Sequence, residues 1–211
     1  MIAALYVQAD GAYAGLPGVD LWPEQRDARL YAGTHPVIAH PPCARWGRYW
    51  HGSPVKPHQH AKGDDAGCFT AALASVRRWG GVLEHPAHSH AWLAHGLPWP
   101  AATGGWQRDI HGGWCCHVEQ GHYGHPARKA TWLYAVGCDL PELRWGAGEQ
   151  RLHPQDVERF GRRRAARIGI MAHLGGGGNA RKREATPPEF RDLLISIAAS
   201  GYSQETDGDD R

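Results

Sequence analysis

Two short segments of this chain end an apolar run in residues that can do chemistry. VIAHPPC closes on Pro41-Pro42-Cys43, and GVLEHP closes on Glu84-His85-Pro86. A thiolate is a strong nucleophile, and a carboxyl group beside it can hold or transfer a proton. The pair suits addition of sulfur to C6 of a pyrimidine while the acid engages N3. Addition makes C5 nucleophilic, so a one-carbon group can be attached there. Arg45 and Arg48 follow Cys43 directly and are expected to lower its pKa and favour the thiolate. The competing reading is a buried structural cysteine, with Glu84 merely closing a loop.

Elements must bring these residues together. IAALYVQA (2–9), HPVIAHP (35–41) and GVLEHP (81–86) read as short buried strands. DDAGCFTAALASVRRWG (64–80) reads as a helix between the last two, and AHSHAWLAHGL (87–97) as a shorter one. Segment 103–137 reads as one or two strands joined by a loop, ending in TWLYAVG. PQDVERFGRRRAARIGIM (154–171) and TPPEFRDLLISIAAS (186–200) read as helices, the second with Pro187 and Pro188 at its entry. GGGG (175–178) is a flexible break. The alternation predicts one α/β domain over 1–200: a compact, mostly parallel sheet with flanking helices and a C-terminal helical segment. A disordered acidic tail follows over 201–211. Strands joined by one crossover helix are usually neighbours, which places Cys43 and Glu84 at one crevice at the carboxyl ends of strands.

Bulk composition narrows the classes. At 211 residues, 42% of them hydrophobic, the chain can bury a real core. No apolar run approaches the roughly 18 residues needed to cross a bilayer, and the N-terminus reads as a strand, not a signal peptide. No membrane partner is expected. Five cysteines without framework spacing fit reduced thiols in a cytoplasm. The formal charge of +2 is mild, but the acidic residues are partly drained into the tail. The folded part is therefore more basic than the total, with RRRAAR (162–167) as a candidate backbone-contact face or a solvated helix.

Other clusters compete for attention. WCCHVEQGHYGH (114–125) holds Cys115, Cys116, His117, His122 and His125, but adjacent cysteines lack the spacing that closes a tetrahedral zinc site. Zinc is not expected, and these residues read as a hairpin lining the base pocket. KPHQHAKGD (56–64) reads either as a mobile loop closing over the site or as solvated surface. Trp46, Tyr49 and Trp50 could stack on an extruded base, or pack beneath the loop. The zinc-deaminase signature is absent.

The Pro-Pro-Cys turn, the Glu-x-Pro turn and the later HYGHPARKATWLYAVG resemble, in order, three elements of the cytosine-C5 DNA methyltransferases, over roughly residues 36–137. The family's Asn after the glutamate is His85 here. Its Gln and two Arg would align with Ala127, Lys129 and Thr131, with Arg128 adjacent. The resemblance implies a truncated Rossmann-type methyltransferase fold and a covalent Cys43 adduct on an extruded cytosine in DNA. It also implies catalytic roles for Glu84, Lys129 and Arg128, and nucleic-acid contacts at Arg45, Trp46, Arg48, His85, Gln120 and Thr131. S-adenosylmethionine is the implied cofactor, with Asp10 and Asp20 as candidate ligands. The stretch between the first strand and the nucleophile strand is short for that pocket, since each β-α-β unit takes about 30 residues. Another one-carbon donor, exchange of a C5 substituent, or an inactive DNA-binding relic are the alternatives. Small phage and prophage proteins look similar, which implies a bacterial or phage-infected cytoplasm.

Overall fold

The computed structural model describes residues 1–52, 60–174 and 180–201. The strands are β1 (Ile2–Leu5), β2 (Val19–Trp22), β3 (Val37–Ala39), β4 (Gly81–Pro86), β5 (Gln107–Arg108), β6 (Trp114–Glu119) and β7 (Ala130–Val136). The helices are α1 (Cys68–Trp79), α2 (His90–Ala94), α3 (Pro154–Ile168), α4 (Ala180–Glu184) and α5 (Pro188–Ser200). One seven-stranded sheet runs in the order β2-β1-β3-β4-β7-β6-β5.

Its central strands read as continuous apolar runs because both faces are covered. Ala3, Leu5, Val37, Ala39, Leu83, Trp132 and Tyr134 face α1 and α2, meeting Phe69, Leu73, Val76 and Trp92. Alternate residues Ala4, Ile38, Val82, Leu133 and Ala135 face α5, meeting Phe190, Leu194 and Ile197. Two cores therefore sandwich the sheet, as a period of two requires.

The sheet is mixed, which corrects the expectation of a mostly parallel one. β2, β1, β3 and β4 pair in parallel, whereas β4–β7, β7–β6 and β6–β5 are antiparallel. The cause lies in segment 103–137, where β6 returns to β7 through a single 3-10 turn at Gln120–Tyr123. Antiparallel neighbours need only a short turn, so no crossover helix is required.

β2 was not anticipated in sequence. It pairs in parallel with β1, yet residues 6–18 between them form turns and no helix. The 154–171 helix is also shorter than expected and is kinked at Gly161, where φ is +74°. The 175–178 break and the tail beyond Gly201 lie outside the described residues.

One close approach fixes the nucleophile strand against its neighbour. A Cβ at Gly81 would sit 2.0 Å from the Val37 carbonyl, at a φ of +112°. Only glycine lets β3 and β4 meet there. Among the described residues, no helix is long and apolar enough to cross a membrane.

Candidate functional site

β3 and β4 are parallel neighbours with Ala39 opposite Leu83, so the Pro-Pro-Cys turn and Glu84 emerge at one end of the sheet. Glu84 is largely buried, its side chain 11% exposed, and points toward the α5 side. His40 Nδ1 lies 2.9 Å from its Oε2, and the Tyr13 hydroxyl lies 2.9 Å from His40 Nε2. Gln120 Nε2 donates to Glu84 Oε1 at 3.2 Å and to Thr131 Oγ1 at 2.9 Å. The Thr131 hydroxyl gives its own proton to the Lys129 carbonyl at 3.0 Å. Thr131 can therefore only accept from Gln120, which fixes the amide with its NH2 group toward Glu84.

Burial alone would raise the Glu84 carboxyl. The hydrogen bond and charge of His40 outweigh it, helped by Lys129 and His85, and hold the group down at about 2. Glu84 is thus a carboxylate whose two oxygens each accept a hydrogen bond.

Cys43 lies exposed at the mouth of the site. Partial desolvation of the sulfur, then the Glu84 and Glu184 carboxylates, push the thiol above its ordinary value; its backbone hydrogen bond and Lys129 act weakly the other way. The expectation that Arg45 and Arg48 favour the thiolate is therefore corrected. Carboxylates, not guanidinium groups, dominate the field at the sulfur. Arg45 instead bonds the Trp50 carbonyl at 3.4 Å, and Arg48 lies against the exposed Tyr49 ring at 5.7 Å.

Lys129 reaches the same place from the approach to β7. Desolvation lowers its pKa, while Glu84, Cys43 and Glu184 oppose the shift. Its Nζ donates to the Glu184 and Ala185 carbonyls at 2.8 and 2.9 Å, which ties the end of α4 to the site. Its φ of +45° is rare outside glycine and marks a backbone held in place by its surroundings. Arg128 is exposed, with Nε 3.9 Å from the Glu119 carboxylate.

A cavity of about 510 Å³ opens beside Cys43, lined also by Arg48, His85, His88, Ser89 and His90. That volume suits a small planar ligand. Behind it, His85 packs edge-on to Phe69 and stacks on Trp92. Burial drives its pKa down to about 4 against the opposing pull of Glu84 and the Pro42 carbonyl. His88 adopts a φ of +63° and rests on Trp99 and Trp132. Trp99, 55% exposed, stands edge-on to Trp132 at an interplanar angle of 74°.

The structure brings Cys43, Glu84 and Lys129 together and rearranges the remaining candidates. Trp46 is not an open stacking face: it is buried, and its Nε1 donates to Asp65 at 2.8 Å. Asp65 also accepts from the Gly67 and Phe69 amides, so it staples the nucleophile turn to the start of α1. Gln120 and Thr131 are fully buried and brace Glu84 instead of offering surface. His85 is a wall residue at 1% exposure, with little edge left for a nucleic acid. Cys115 and Cys116 face opposite cores, since successive strand residues diverge, and neither lines the cavity. Residues 56–59 of the proposed mobile loop lie outside the described residues. Tyr13 and His40 were missed. His40 had a signal in its place just before Pro-Pro-Cys, whereas Tyr13 comes from a turn with no pattern to mark it.

The S-adenosylmethionine pocket implied by the resemblance does not fit the start of this chain. No helix opens after β1, so there is no helix N-terminus at its carboxyl end. Asp20 is engaged by Arg26 at 2.6 Å and by Trp22 Nε1 at 2.8 Å. Asp10 lies exposed in the turns after β1. Among the described residues, no group of three His, Cys, Asp or Glu could hold a metal ion. Comparison with protein-family models, with curated proteins and with solved structures finds no match to this chain.

Proposed function

We propose that this protein modifies a pyrimidine of DNA at C5 through a covalent adduct between Cys43 and C6 of an extruded base. The observation that carries the reading is the exposed Cys43 thiol at a cavity of about 510 Å³, with the Glu84 carboxylate and the Lys129 ammonium, which do not line that cavity, within electrostatic reach of the sulfur. The Cys43 thiolate attacks C6, and the C5=C6 π pair moves to C5. C5 then attacks the electrophilic carbon of an aldehyde-level one-carbon donor, whose C=O or C=N π pair moves to the heteroatom, which takes up a proton from water. Water takes the C5 proton, the C–H pair restores the C5=C6 double bond, and the sulfur leaves as thiolate. Glu84 accepts at the ring edge, and Lys129 steadies charge that develops on the ring carbonyl.

The donor class is an activated one-carbon electrophile other than S-adenosylmethionine, such as a folate-borne or aldehyde carbon. The turn-only link between β1 and β2 supports this choice. DNA as partner rests on Arg48 at the cavity and on the exposed Arg128, Arg162, Arg163 and Arg167 elsewhere on the surface. Five free cysteines fit a reducing cytoplasm, bacterial or phage-infected.

Trapping tests the reading. Oligonucleotides carrying 5-fluorouracil or 5-fluorocytosine are incubated with the protein and a one-carbon donor, with S-adenosylmethionine and formaldehyde as separate arms. A covalent band lost in Cys43→Ala is expected with a donor other than S-adenosylmethionine. A band that strictly needs S-adenosylmethionine would overturn the donor assignment, and DNA binding without any adduct would leave only a binding protein.

A further inference from the structure

Resting on that reading, we infer that the unit the Cys43 cavity takes is a whole pyrimidine nucleotide, with its phosphate at Arg48, His88 and His90 and its ring against His85. Of the residues that line the cavity, Arg48 carries a permanent positive charge and none carries a carboxylate. Arg48 is exposed, and among the described residues its guanidinium meets no acid, only the Tyr49 ring at 5.7 Å. A guanidinium fork left free in this way matches two phosphate oxygens at once. The ring nitrogens of His88 and His90 have no hydrogen-bond partner among the described residues, and each ring has an N–H to donate. The wall that carries them is held in place. The His90 amide donates to the Trp46 carbonyl at 2.9 Å, which pins it to the nucleophile turn.

The buried wall asks for a second kind of contact. His85 lines the same cavity at 1% exposure, and neither of its ring nitrogens has a hydrogen-bond partner among the described residues. The Pro42 carbonyl comes near enough to act on the ring's charge without completing a hydrogen bond. A buried polar group in that state is costly until a ligand meets it. A free phosphate ion at the exposed Arg48 would leave it unmet. Pro86 and Ala87 add apolar lining, and about 510 Å³ is more room than a six-membered ring fills alone. An anion at the open rim, an apolar body and a polar edge at the buried wall together describe a nucleotide. Cys43 is exposed at the mouth of the same cavity, beside the bound unit.

Protection of Cys43 tests the inference. The full-length protein, in phosphate-free buffer, is labelled with iodoacetamide, and the Cys43 peptide is followed by mass. The competitors are deoxyuridine and deoxycytidine 5′-monophosphates, the two nucleosides, and inorganic phosphate. The nucleotides are expected to protect at concentrations about tenfold or more below those of the nucleosides or of phosphate, with the advantage shrinking as salt is added. Arg48→Ala, a change to an exposed side chain, should erase the advantage of nucleotide over nucleoside. His85→Phe should weaken nucleotide and nucleoside alike. Equal protection by nucleotide and nucleoside, phosphate alone protecting as well as the nucleotides, no protection by any of them at millimolar concentration, or an advantage that survives Arg48→Ala would each overturn the inference. Undiminished nucleotide protection in His85→Phe would overturn the placement of the ring. The adduct reading fails separately. A Cys43 adduct on fluorinated oligonucleotides without nucleotide protection would leave that chemistry standing, whereas Arg48-dependent protection without any adduct would remove the chemistry and keep the nucleotide site.

Discussion

His40 Nδ1 lies 2.9 Å from Glu84 Oε2, and only two prolines separate His40 from Cys43. The rigid Pro41-Pro42 link couples the nucleophile turn to the carboxylate through one backbone step. Removing the imidazole in His40→Ala strips Glu84 of the interaction that most opposes its burial, so the carboxyl should rise from about 2 well into or above the ordinary range. A carbon-13 carboxyl titration reads this directly; an unmoved Glu84 would refute the assignment. Stability follows with a definite sign. Because the folded value lies below the ordinary 4.5, the contribution is full above pH 4.5 and fades as pH falls toward 2. At neutral pH the variant should lose about 2–3 kcal/mol, since it leaves a largely buried charge with a missing partner.

The Glu184 carboxylate raises the Cys43 thiol from the end of α4. Glu184→Gln removes that charge while leaving the backbone carbonyl that Lys129 holds. Iodoacetamide should then label Cys43 several-fold faster at pH 8, with the midpoint of the pH–rate profile moved down. An identical profile would show that α4 does not influence the thiol in solution.

Much of this site could be read from the chain, for identifiable reasons. Cys43 and Glu84 stand where apolar runs stop, and one helix between two parallel strands makes those strands neighbours. Local patterns of that kind survive folding. β2 was invisible because VDLW is short, half-buried and without a helix before it. Trp46 looked like a stacking ring because nothing local announces Asp65, whose contact depends on the path of a loop. Tyr13, Gln120 and Thr131 converge on Glu84 and His40 only through the sheet order, which no single window of sequence contains.

Gly81→Ala tests the close approach of β3 and β4. The added methyl would meet the Val37 carbonyl at 2.0 Å in a region of φ that L-residues avoid. Neither strand can retreat without opening a core on both faces of the sheet. A loss of at least about 3 kcal/mol is expected in urea unfolding. A loss under 1 kcal/mol would mean that the strands are not in this register.

His85 sets a second and separate acid sensitivity. It is buried against Phe69 and Trp92, and its folded value of about 4 lies below the ordinary 6.5. The native state therefore keeps the ring neutral where the unfolded chain would protonate it. Its penalty is absent above pH 6.5 and grows as pH falls toward 4, where it levels off. The linkage limit is about 3 kcal/mol over that window. His85→Phe keeps a ring between Phe69 and Trp92 and removes the titration. Thermal unfolding measured from pH 7 to pH 4 should thus be markedly flatter in the variant, while the Glu84 loss below pH 4.5 persists. A variant that falls as steeply as the unmodified protein between pH 6.5 and 4 would move the acid sensitivity to another group.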